Sequence, residues 1–308
     1  MRLRPAAGDV LWMVAGAALV SLLALVVWLF GTPPNPAAQL AARAQRVALV
    51  ARMQLGLASA AEAEKSAVLA ITDEESQAFA DQARASTASV ERDRQELEKL
   101  LEPGGTQGEK DLLAEFSQKF GELQRIDAEV LRLAVENTNL KAYALAYGPA
   151  AKAIDEMGAA LSRLVDAAAA TPDAKQVTSL ALGAEVAALR LETLLAPHIA
   201  EARDARMDEL EARMKEQDEH ARSALDGLAK IPKLGASPDL AAAVSRYGEF
   251  RDIESQILVL SRKNTNVLSL SLSLNEKRKA TVACEDVLSR LREAIEQEPV
   301  PGETRATR

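Results

Sequence analysis

The chain has one cysteine, two histidines and 3% aromatic residues among its 308. A lone thiol, Cys284, excludes an intrachain disulfide, and no Cys-x-x-Cys-His run is present for covalent haem attachment. His198 and His220 stand too far apart for the close ligand spacing of a metal site. Scarce aromatics leave few large anchors for a mixed α/β core, whereas Ala, Leu and Val suit closely packed helices. There is no phosphate-cradling glycine loop, no nucleophile elbow and no alternating strand pattern on which to mount either. No catalytic residue, metal or cofactor is therefore expected. A net charge of −8 argues against the basic face that a general nucleic-acid binder needs.

What is present is helix-forming sequence, used twice. Asn137-Thr138-Asn139 returns as Asn264-Thr265-Asn266, Lys152-Ala153 as Lys279-Ala280, and Leu161-Ser162-Arg163-Leu164 as Leu288-Ser289-Arg290-Leu291. All fall at one offset, 127 residues (137 to 264, 161 to 288). Internal repetition of this kind defines the structural unit before any other reading does. High Ala, Leu, Glu and Arg with only 15 Gly and 12 Pro makes that unit all-α. Cys284 aligns with Met157 at the repeat offset, which gives it a packing role.

Residues 10–30 form an uninterrupted apolar run with Trp12 and Trp28 near its ends. About 20 residues suffice to cross a bilayer, and indoles favour the interface. The run is longer than a signal-peptide core and no small-x-small site closely follows it, so an uncleaved anchor is expected. Arg2 and Arg4 precede the span and its near downstream flank is uncharged, which favours the remainder lying outside the cytoplasmic membrane. The expected organisation is a short tail (1–9), an anchor (10–30), one helical bundle (36–170), a second (173–297) and a polar, disordered tail (298–308).

Within the first unit the apolar stripe Leu40, Ala44, Val47, Ala51, Leu57, Ala61, Val68 and Ile71 predicts one helix. Thr72-Asp73-Glu74-Glu75 then predicts the N-terminus of the next. Pro103-Gly104-Gly105 ends the second helix. A third helix runs through Phe116, Phe120, Val130 and Leu133 to Asn137, which either caps its end or fixes register as a buried polar residue. The fourth, 140–169, carries a kink at Gly148-Pro149. The second unit reads as 174–195, 197–228, 240–263 and 267–296, with a break placed at Pro197. Two tandem four-helix bundles are expected; one bundle of four long helices is the alternative.

The stretch Glu64-Lys65-Ser66-Ala67-Val68-Leu69-Ala70-Ile71-Thr72-Asp73-Glu74-Glu75 resembles the four-helix-bundle sensor domain of methyl-accepting chemotaxis receptors. So does Leu112-Leu113-Ala114-Glu115-Phe116, which leads to Asn137 and Leu140. The resemblance implies an up-down-up-down bundle, and small-ligand binding near the distal ends of the first and fourth helices at a dimer interface. Members of that family continue into a second span, a HAMP linker and a cytoplasmic signalling hairpin; this chain supplies a second copy of the bundle instead. The two copies could pack side by side, as that family's homodimer does.

On that frame, Asn137, Thr138 and Asn139, with Asn264, Thr265 and Asn266, form a polar tip that could bind a ligand. Turn and cap chemistry is the competing reading for Asn and Thr at such places. Lys65, Lys141, Tyr143 and Tyr147 could line a pocket just below, against a simple packing role. The expected function is that of a single-pass extracytoplasmic sensor-like protein. Its expected partners are the lipid bilayer, a small-molecule ligand, and a second copy or another membrane protein. A structural helical spacer of the envelope is the alternative.

Overall fold

A computed structural model describes residues 36–298 of the chain. The expected anchor at 10–30, the tail at 1–9 and residues 299–308 lie outside the described residues. Within them no helix is long and apolar enough to cross a membrane.

The described chain is all-α. Its helices are α1 (Pro36–Leu69), α2 (Asp73–Gly104), α3 (Gln107–Glu136), α4 (Thr138–Leu145) and α5 (Ala151–Ala168). The second repeat gives α6 (Ala174–Ala200), α7 (Asp204–Ala229), α8 (Pro238–Lys263), α9 (Thr265–Leu272) and α10 (Arg278–Gln297). A π-helical turn joins α4 to α5 at Ala146–Ala150, and another joins α9 to α10 at Ser273–Lys277.

Local chemistry explains the boundaries. The Thr72 hydroxyl accepts from the Glu75 amide at 3.1 Å, and Asp73, Glu74 and Glu75 fill the positive first turn of α2. At α3, Thr106 and Glu109 form a reciprocal capping box. The break expected at Pro197 falls later. Helix α6 runs through the proline to Ala200, and burial of His198 and Ile199 holds the last turn despite one lost hydrogen bond.

The helices do not segregate as 36–170 and 173–297. One core joins Leu49, Met53, Leu97, Phe116 and Phe120 to Cys284, Leu288, Leu291 and Ile295 of the second repeat. The other joins Leu191, Leu195, Leu225, Phe250 and Ile257 to Ile154, Met157, Leu161 and Leu164 of the first. The first bundle is therefore α1–α3 completed by α9–α10, and the second is α6–α8 completed by α4–α5. Each repeat lends its fourth helix to the other. Helices of the two bundles pack on one another where α4 meets α9, and among the described residues no extended side-by-side face unites them. The side-by-side arrangement is thus replaced by two bundles joined through their tips.

The register of α1 also differs from the stripe read in sequence. Leu57 and Val68 of that stripe are buried, but Leu40, Ala44, Ala51 and Ile71 are exposed, and Leu49, Val50 and Met53 enter the core in their place. Ala and Leu occur nearly all round this helix, so its pattern does not select one face.

Candidate functional site

The joint between the bundles is built from the two Asn-Thr-Asn triplets. Asn137 and Asn264 adopt the left-handed conformation (φ 50° and 52°), which asparagine tolerates better than other residues with a side chain. Each ends one helix and starts the next without an intervening loop.

The first amides of α4 and α9 would be left without acceptors, as at any helix start. They are capped from the opposite repeat. Thr138 N donates to Thr265 Oγ1 at 3.2 Å and Thr265 N to Thr138 Oγ1 at 3.1 Å. Asn139 N donates to Asn266 Oδ1 at 3.1 Å and Asn266 N to Asn139 Oδ1 at 3.2 Å. Asn139 Nδ2 reaches Asn264 Oδ1 at 2.8 Å, and Asn266 Nδ2 reaches Asn137 Oδ1 at 2.9 Å. The contact is isologous: each triplet gives what it receives, as across a molecular two-fold axis. Asn137 Nδ2 also donates to Asp73, and Asn264 Nδ2 to the Glu201 carbonyl, tying the joint to the helical hairpin of each bundle.

Five of the six triplet residues are buried, Asn266 being partly so. Their polar groups are largely spent on one another. Lys141 joins the periphery through an ion pair with Asp73 at 3.1 Å. The Asp73 carboxyl is held below its usual range, first by the Asn137 hydrogen bond. Tyr143 and Tyr147 stack at 5.9 Å on the side of the second bundle, Tyr147 exposed and Tyr143 half-buried against its core. Lys65 is exposed on α1 of the first bundle. Lys65 and the tyrosines are thus carried by different bundles. Of these candidate residues, Thr265 lines a groove of about 480 Å³ at the joint, beside Arg132, Glu136 and Lys263.

Two buried polar clusters escaped sequence reading. In the second bundle His198 Nδ1 lies 2.8 Å from Ser261 Oγ and Nε2 lies 2.9 Å from Glu211, which also takes Arg262 Nε at 2.7 Å. Burial pushes the His198 pKa down, against the pull of Glu211. A proton on Nε2 suits the carboxylate, and the one Ser261 hydroxyl proton is shared between Nδ1 and the His198 carbonyl. The Ser261 hydroxyl is fully buried and also reaches the His198 carbonyl, so it fastens α8 to the end of α6 and offers no approach to a substrate. In the first bundle, Lys277 Nζ bonds Glu64 Oε2 at 2.8 Å and lies 3.4 Å from Asp127 Oδ1, all three buried. The signal for that cluster was three charges on otherwise apolar helix faces, and no short-range motif links positions so far apart. Cys284 is fully buried, its thiol pushed up to about 12 by burial. It belongs to the core.

The molecule is thus an all-helical protein whose two bundles exchange a helix. The sequence matches no protein-family model and no curated protein. The chemoreceptor resemblance therefore rests on the residues and helix order given above.

Proposed function

We propose that this chain is a membrane-anchored, extracytoplasmic, sensor-like binding protein of two tip-joined bundles that acts through a protein partner. Anchor, location and chemoreceptor likeness are part of this reading, supported by the apolar run at 10–30 and by helix order. So is the assignment as a non-enzymatic protein. The observation that carries it is the outer face of α1. Ala41, Ala44, Ala48, Ala51, Leu55 and Ala58 recur at alternating three- and four-residue spacing, and all are exposed, Leu55 at 74%. Such a seam lets a second helix approach closely. It stands on the helix that follows the expected anchor, so a neighbouring membrane protein or a second copy would meet it first.

The end of α10 returns to this helix, where Arg46 pairs with both Glu109 and Glu298. A shift of α1 against α10 would thus be felt at the anchored end. Cross-linking in native membranes, followed by purification of the full chain, tests the reading. A specific protein partner, or a second copy, should be recovered and then lost with Leu55→Glu, while the variant keeps its helical spectrum. Recovery of the chain alone in both cases would overturn it.

The envelope-spacer reading draws on a different observation: the joint consumes its polar groups internally. It expects no ligand stabilisation in a thermal-shift screen against amino acids, organic acids and aromatic compounds, whereas a ligand that binds the folded state would raise the midpoint.

A further inference from the structure

The first two helices of each repeat pack differently at one glycine, and the difference opens a groove in the second bundle. Gly56 of α1 and Gly183 of α6 stand 127 residues apart, at the same place in the repeat. Gly56 faces Val90 of α2, whose Cγ2 would lie 2.6 Å from a Cβ at the glycine. Val90 is 1% exposed, so it fills the space between the two helices. Gly183 faces only Ala224 of α7, whose methyl would lie 3.9 Å from a Cβ at 183. A glycine opposite an alanine leaves the gap open, and a groove of about 520 Å³ runs between α6 and α7. Small-molecule sites have volumes of roughly 300–1,000 Å³.

The groove has an apolar bed and a polar rim. Leu180, Leu182, Val186 and Ala187 supply the bed, with Leu182 54% and Val186 44% exposed to water. Covering such surface is favourable for any apolar body that fits. Arg190, Gln217, His220 and Ser223 form the rim, and no carboxylate lines the groove. The acids of α7 nearest to it are placed elsewhere: Asp218 is taken by Arg222 and Tyr247, while Glu216 and Glu219 are exposed outside the lining. On α6, Glu185 lies against Gly158 of α5. Arg222, Arg246, Arg251 and Arg262 of the same bundle are each paired with a carboxylate. Arg190 is exposed and its guanidinium has no such partner among the described residues. The Gln217 amide is also uncommitted, its Oε1 being without a hydrogen-bond donor.

We propose that the α6–α7 groove binds a small apolar carboxylate, an acid with a short alkyl or phenyl body. The carboxylate meets Arg190, whose planar fork suits two parallel hydrogen bonds, and the body lies over Leu180, Val186 and Ala187. An apolar cation is refused, because the only formal charge among the lining residues at neutral pH is positive. The site belongs to the second bundle alone, since Val90 occupies the corresponding gap in the first. It requires neither the anchor nor the protein partner of the reading above, so each can fail without the other.

The experiment is isothermal titration of the full chain in lipid nanodiscs at neutral pH, with empty nanodiscs as the blank. Hexanoate and phenylpropanoate are the probes, and hexanol and hexylamine the controls of matched body. The expected result is saturable binding of one acid per chain, with both controls weaker by about tenfold or more. Arg190→Gln, at an exposed position, should cost the acids about tenfold and leave hexanol unchanged. Ala224→Val, which restores the glycine–valine pair of the first bundle, should abolish binding of the acids while the helical spectrum stays native. Absence of saturable heat with both acids, equal binding of hexylamine, or acid binding that survives both substitutions would overturn the proposal. So would a dimer of the chain that Ala224→Val dissociates, because the groove would then be occupied by a second copy.

Discussion

At the scale of single residues, the Asn-Thr-Asn triplets show how a polar motif can look like a binding site and serve as a joint. Asn137 meets three demands at once: a left-handed backbone, a donor for Asp73, and an acceptor for Asn266. Asn137→Ala should destabilise the chain by roughly 2–4 kcal/mol, from the backbone penalty plus lost buried hydrogen bonds. Asn137→Gly keeps the backbone freedom and should recover part of that loss. Chemical denaturation of both variants provides the check, and equal stability of the two would mean that the conformation itself contributes nothing. The triplets were visible in the sequence as an identical pair, but their partnership was not. Capping is ordinarily sought within three residues, and here the cap comes from 127 residues away.

At the scale of elements, the helix breaks at Thr72 and after Pro103 were legible because each is written in local cap or turn chemistry. The kink expected at Gly148-Pro149 is a π-helical turn, and the same turn recurs at Ser273–Lys277 with neither glycine nor proline. Proline is therefore not required for this turn; the common feature is the passage of both copies from the joint into a bundle. Pro149→Ala should change stability by less than about 1 kcal/mol, well short of the roughly 3 kcal/mol that an interior proline costs an otherwise regular helix. A gain of the full amount on equilibrium unfolding would return the cause to the proline. Face selection on α1 was not legible. An alanine-rich helix presents similar surfaces in several directions, and its neighbours chose Leu49, Val50 and Met53 for the core beside the expected Leu57.

At the scale of the whole molecule, repetition and folding unit part company. Because each repeat completes the other's core, cutting the loop at Thr171–Asp173 should leave two halves that need each other. Co-expressed as separate chains, 1–172 and 173–308 should co-purify with native helical content. Independent monomeric halves on size exclusion would contradict the exchange. Thr138→Val with Thr265→Val should weaken the association, since both threonine caps go at once while those of Asn139 and Asn266 stay. The sequence by itself determined the helical class, the duplication and most helix ends, because composition, period and cap chemistry act over a few residues. Only the tertiary structure decided which repeat each fourth helix completes, which face of α1 stays exposed, and which charges meet in the core. Those outcomes depend on contacts between positions far apart in the chain, and two repeats of the same helical plan offer each fourth helix two similar cores to enter.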